Sequence, residues 1–210
     1  MRNPASRPVN AAFPVERFQN IPRNITAKSG LLSLNLPETP VNDGTLQFAG
    51  NINLAEEPKF LRPEKAMPIL TNVQINDEMS NALLKYVNPT FANSVAVTGA
   101  ANLVCQQMAL PLGGANPKQM LMVEGTLWIE RLNMQAGSFL GTLLQAARSP
   151  TSARMTLQKT PFVVKDGVLH YERMELIVEN RPFVFAGDIG IATDRLNMTV
   201  QLPITARGET

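Results

Sequence analysis

The sequence predicts an α+β, β-dominated chain: one antiparallel sheet with a single apolar face, accompanied by two short amphipathic helices. Three observations carry this. The C-terminal third is a run of short alternating segments separated by turn residues. Only two segments show helical spacing. Hydrophobic residues make up 44% of the chain while charged residues make up 17%, below the usual quarter, which fits a folded domain with much apolar sheet surface.

The clearest strand is RLNMTVQLPI (195–204), where Leu196, Met198, Val200, Leu202 and Ile204 alternate with Arg195, Asn197, Thr199 and Gln201. Successive strand side chains point to opposite faces, so this segment has one apolar and one polar side. By the same parity, VLHYERMELIVE (168–179) sets Val168, Met174, Leu176 and Val178 on one side, with His170 and Glu172 interrupting the stripe. Lys165-Asp166-Gly167-Val168 is a hairpin signal. Asn180-Arg181 marks the next turn, PFVFAGDIGI (182–191) the next strand, and Ala192-Thr193-Asp194 the last turn.

Upstream, residues 1–28 hold four prolines and no sustained periodicity, which predicts an extended arm or linker before a single β-rich domain over 29–210. LLSLNL (31–36) stops at Pro37, and Asn42-Asp43-Gly44 supplies a turn into TLQFAGNINL (45–54). Pro58, Pro63 and Pro68 make 55–70 a loop or a short broken helix, and TNVQI (71–75) a short strand. Asn76 or Asp77 caps a first helix carrying Met79, Leu83, Tyr86 and Val87, which ends at Asn88-Pro89. SVAVTGAANLVCQQMALPL (94–112) reads as a long strand kinked or bulged at Gly99. Residues 119–134 read as a strand pair or one bulged strand. A second helix, about 138–147, is capped by Ser138 and carries Phe139, Leu140, Leu143, Leu144 and Ala147. Segments 72–89 and 131–150 echo each other as strand, cap, helix and proline. This suggests two copies of a strand–helix–strand unit, about 72–112 and 131–178.

Charge excludes little but points away from nucleic acid, the net value being +2. The positive excess gathers near the start, with Arg2, Arg7, Arg17, Arg23 and Lys28 against Glu16. A solvated basic arm accounts for it. Contact with anionic headgroups, about 1 kcal/mol per basic residue, is the sharper reading. No apolar run is long enough to span a membrane as a helix. The first residues lack the apolar stretch of a signal peptide, so export implies a fragment or a processed form.

Reactive groups are sparse. His170 and Cys105 are the sole histidine and cysteine, a poor start for a metal site and an unmotivated nucleophile–base pair. Gly113-Gly114 lacks the Lys-Ser/Thr of a phosphate loop. Glu124, Glu130, Glu172 and Glu175 are strand carboxylates of the kind polar sheet faces carry, and Trp128 is a packing or rim aromatic. No catalytic residue, metal ligand or cofactor is assigned.

The segments INDEMSNALLKYVNPTFANSVAVTGAANLV, GTLWIERLNMQAGSFLGTLL and KDGVLHYERMELIVENRPFVFAGDIGIATDRLNMTVQLPI resemble the C-terminal region of the bacterial AsmA-like family. That family includes the translocation and assembly module proteins of the Gram-negative envelope. The resemblance covers about residues 70–205. It implies an elongated, twisted antiparallel sheet forming an apolar groove for phospholipid acyl chains. It also implies a periplasmic or envelope location, a role in lipid transport to or assembly of the outer membrane, and no catalytic residues. The family's membrane anchor and long run of β repeats are not among these residues, so the chain reads as an excised C-terminal portion or as a short relative; for a short relative, transport across the whole envelope is in doubt. The groove candidates are Leu196, Met198, Val200, Leu202, Ile204, Met174, Leu176, Val178, Val95 and Val97. The partners implied are phospholipid or another acyl lipid and an envelope protein, with membrane contact but no nucleic acid. The competing reading is a non-catalytic structural or interaction module in which the helices cover the apolar face as a closed core and docking uses a sheet edge. An enzyme ranks third.

Overall fold

A computed structural model describes residues 24–76, 97–134, 138–149, 154–193 and 195–203. Eleven strands join one antiparallel sheet: β1 (Asn24–Lys28), β2 (Leu31–Val41), β3 (Gly44–Asn53), β4 (Phe60–Pro63), β5 (Met67–Ile75), β6 (Val97–Pro111), β7 (Met122–Met134), β8 (Met155–Lys165), β9 (Val168–Val178), β10 (Arg181–Gly190) and β11 (Arg195–Gln201). Among the described residues, two short helices accompany them, α1 (Pro117–Met120) and α2 (Ser138–Ala146). The strands pair in chain order, except that β4 and β5 share the lane between β3 and β6. The β-dominated antiparallel sheet is as the sequence predicts.

Tight hairpins enforce the meander. Ser29-Gly30, Asn42-Asp43, Asp166-Gly167 and Glu179-Asn180 each link neighbouring strands through two residues, and all eight have positive φ. That is the geometry whose twist matches a right-twisted strand pair. The Asp166-Gly167 hairpin stands where the sequence places it. The turn expected at Asn180-Arg181 is centred one residue earlier, because Arg181 already pairs with Val178.

Prolines and bulges account for the other differences. β2 runs on past Pro37 to Val41. Between Leu36 and Thr39 it advances three residues while β3 advances two, so Pro37-Glu38 form a bulge, where a missing N–H costs no ladder bond. The Thr39 hydroxyl donates to the Pro37 carbonyl at 2.7 Å. Residues expected as loop or broken helix supply β4 and the start of β5. β1 takes up the last residues of the expected arm. Residues 119–134 give one bulged strand after α1. The irregularity expected at Gly99 is present, but the extra residue lies opposite it in β7, beside Arg131, whose φ is 50°. The first expected helix, the first copy of the expected repeat and the Ser138 cap rest on residues or side chains outside those described.

The parity expected for β9 is overturned. From Phe185 to Gly187 β10 advances two residues while β9 advances three, from Met174 to Tyr171. The extra residue lies at Glu172-Arg173 and reverses the facing of everything before it. Leu169 and Tyr171, not Val168 and His170, therefore share the buried side with Met174, Leu176 and Val178. The apparent interruptions leave the stripe, and the stripe is continuous.

Directly paired residues lie on one face, so the pairing traces that face across the sheet. Val73, Ala101, Ile129, Leu157, Leu176 and Phe183 are paired in sequence across six strands, and all are buried. Leu144 and Ala147 at the end of α2 join the same cluster. Arg181 fastens that end of the helix, its Nη1 donating to the Ala147 carbonyl at 3.0 Å and to Ser149 Oγ at 2.9 Å. The bulges in β7, β8 and β9 add local twist and bend their strands. At the β9 bulge, β11 approaches Gly187 so closely that a Cβ there would lie 2.2 Å from the Asn197 carbonyl oxygen.

Candidate functional site

The same face continues into the N-terminal strands, where its character changes. Ala27, Leu32, Ile52, Leu61 and Leu110 form a second paired row over β1, β2, β3, β4 and β6. Ile25, Leu34, Gly50 and Pro63 make the row beside it. Leu36 with Phe48, and Leu46 with Leu70 and Leu103, complete the surface toward the buried rows. None of these positions carries a charge. Their side chains stay partly or well exposed, from half-buried Phe48 to Ile25 at 60%. No hydrophobic side chain before Val73 is buried among the described residues.

Charge is confined to the opposite face and the connecting loops. Arg62 Nη1 and Nη2 donate to the two Glu56 carboxylate oxygens at 2.6 and 2.7 Å, and the guanidinium lies 4.7 Å from the Phe60 ring centre. The hydrogen bond from Arg62 holds the Glu56 carboxyl below its usual range. Asn51 donates to Glu64 at 2.6 Å, and Lys59 pairs with Glu57. The result is an uncharged sheet surface backed by a face and loops that carry the charges.

The expected groove residues divide between the two regimes. Met174, Leu176, Val178 and Val97 are buried in the closed core. Met198, Val200 and Leu202 are half-buried at its rim, and Leu196 is 43% exposed there. Val95 and Ile204 lie outside the described residues. The sequence reading passed over Leu32, Leu34, Leu36, Leu46, Phe48, Ile52 and Leu61. The alternation in TLQFAGNINL was their signal, since Leu46, Phe48 and Ile52 share one parity.

Among the described residues, Cys105 and His170 are held apart. Cys105 pairs with Gly125 on the core side, whereas His170 pairs with Val163, itself paired with Glu124, on the polar side, so the sheet separates them. Burial pushes the Cys105 thiol up from its ordinary value, away from a thiolate. His170 Nδ1 meets Asp188 Oδ1 at 2.7 Å, about half exposed on both sides. They stand beside a depression of about 310 Å³ lined by Gln106, Glu124, Thr126, Val163, His170 and Glu172. A second depression, about 660 Å³, is lined by Trp128, Glu130, Thr156, Gln158, Lys159 and Glu175. The Lys159 ammonium sits 5.2 Å from the Trp128 ring centre and occupies its face. Among the described residues no group of three or more His, Cys, Asp or Glu is arranged to hold a metal ion, and no helix is long and apolar enough to cross a membrane. No family model, curated protein or solved structure matches the chain.

Proposed function

We propose that this chain is a non-catalytic module of a Gram-negative-type cell envelope that holds or conducts phospholipid acyl chains along the uncharged face of β1–β4 and the adjoining end of β6. This face is the apolar groove of the reading, and its use is lipid transport to, or assembly of, the outer membrane. The observation that carries the reading is the paired row Ala27–Leu32–Ile52–Leu61–Leu110, apolar throughout and left accessible. Large apolar surfaces left accessible mark binding sites. Each methylene group moved from water onto such a surface gains roughly 0.8 kcal/mol. An uninterrupted surface lets a chain slide without surrendering that gain at each step. The resemblance of residues 70–205 to the AsmA-like C-terminal region points the same way.

The structural reading is favoured for β6–β10, where the Val73–Phe183 row is closed core. There the apolar face supplies stability, and the docking of an envelope partner would use the sheet's edge. The two readings thus divide the sheet.

Native mass spectrometry with solvent extraction, on protein purified without detergent, tests the division. Phospholipid is expected with the wild type and lost in Phe48→Glu, with circular dichroism unchanged. Lipid-free wild-type protein, or lipid retained in Phe48→Glu, overturns the assignment to this face. Val200→Glu, at the rim of the closed core, is expected to impair folding before it affects lipid.

A further inference from the structure

We propose that the chain pairs with a second copy of itself through the free edge of β11, in an antiparallel register centred on Met198. Among the described residues, β11 has β10 on one side and no strand on the other. It carries neither proline nor a register shift against β10 over Arg195–Gln201, and its one charge, Arg195, stands at its start. Natural edges are ordinarily blunted by such features or by covering elements.

The core is unfinished at this edge. Ile189, Gly187 and Phe185 pair with Leu196, Met198 and Val200, which places those three on the core side. Leu196 remains 43% exposed there, and Met198 and Val200 are half-buried. A two-fold axis at Met198 sets Leu196 against Val200 of the second copy on that side. It sets Asn197 against Thr199 on the polar side and Arg195 against Gln201. Apolar meets apolar, polar meets polar, and no like charges oppose. The edge is therefore its own complement, and this singles out a second copy among extended strands.

The other sheet edge among the described residues, β1, is a poorer site. β1 has five residues and offers only Ile25 and Ala27 to the apolar side. Pairing β1 of one copy with β11 of the next would be heterologous and open-ended, whereas the dyad at Met198 closes.

Asn197 and Thr199 are exposed, so charges can be introduced there without entering the core. Sedimentation velocity on delipidated full-length chain is expected to show a dimer. Asn197→Lys/Thr199→Lys and Asn197→Glu/Thr199→Glu should each be monomeric, because like charges then face each other across the axis. Mixing the two variants should restore a heterodimer. A monomeric wild type, a dimer that persists in the lysine variant, or failure of the mixture to pair would each overturn the proposal. Delipidated protein keeps this outcome separate from that of the lipid experiment.

Discussion

Two paired rows on one sheet face, Val73–Phe183 and Ala27–Leu110, are alike in composition and opposite in fate. The first is buried at every position; the second is accessible along its length. Hydrophobicity does not distinguish them. Cover does: α2 sets Leu144 and Ala147 into the cluster that holds Ala101, Ile129, Leu157, Leu176 and Phe183. The difference teaches that an apolar stripe records which side of a strand avoids water, while neighbouring elements decide whether that side becomes core or surface.

Disturbing the parity of β9 gives the largest expected effect. Inserting one alanine between Tyr171 and Glu172 adds a residue that β10 does not match and sends Leu169 and Tyr171 to the polar side, or slips the strand by one position. Loss of near-ultraviolet dichroism and of a cooperative urea transition is expected; a native-like transition would show that the bulge absorbs a further residue. Next comes a matched truncation in the two rows. Phe183→Ala should cost about 3–5 kcal/mol in urea unfolding, because it opens a cavity in a packed core. Phe48→Ala, half-exposed, should cost about 1 kcal/mol. Equal costs would erase the distinction. An effect smaller than that of Phe183→Ala concerns the cover itself. Arg181→Ala removes the hydrogen bonds to Ala147 and Ser149 and should cost about 1.5 kcal/mol. Faster amide exchange in α2 than in β3 would localise it; uniform change across the sheet would show that α2 is held by other contacts.

Much of the sheet was legible in the residues. β11 alternates cleanly, and Asp166-Gly167 could support little except a tight hairpin. Bulges were the obstacle, because period-two reasoning carries parity through a strand and one extra residue reverses it. In β9 a clue stood in plain view: Leu169 and Tyr171 are apolar at odd positions, Met174 and Leu176 at even ones, and Glu172-Arg173 separate them. Prolines misled in the other direction. Pro37 and Pro63 argue against strand, yet one sits in a bulge and the other ends β4. An apolar face was legible in the sequence; which part of it stays accessible was not. The best alternation lies in the C-terminal strands, and alternation reports one-sided burial without reporting cover. The weaker stripe of β2 and β3, with Gly50 in its midst, is the accessible one.

The predominance of pairing between successive strands has a kinetic consequence. Four pairings, β1–β2, β2–β3, β8–β9 and β9–β10, close through two-residue turns and so form at little entropic cost. Folding of a sheet this large would ordinarily be slowed by contacts between distant parts of the chain. Here the hairpins can zip in succession from any one that forms first. A tight turn such as Asp166-Gly167 is then a place where growth begins as well as a corner, and refolding should be faster than in a sandwich of equal length.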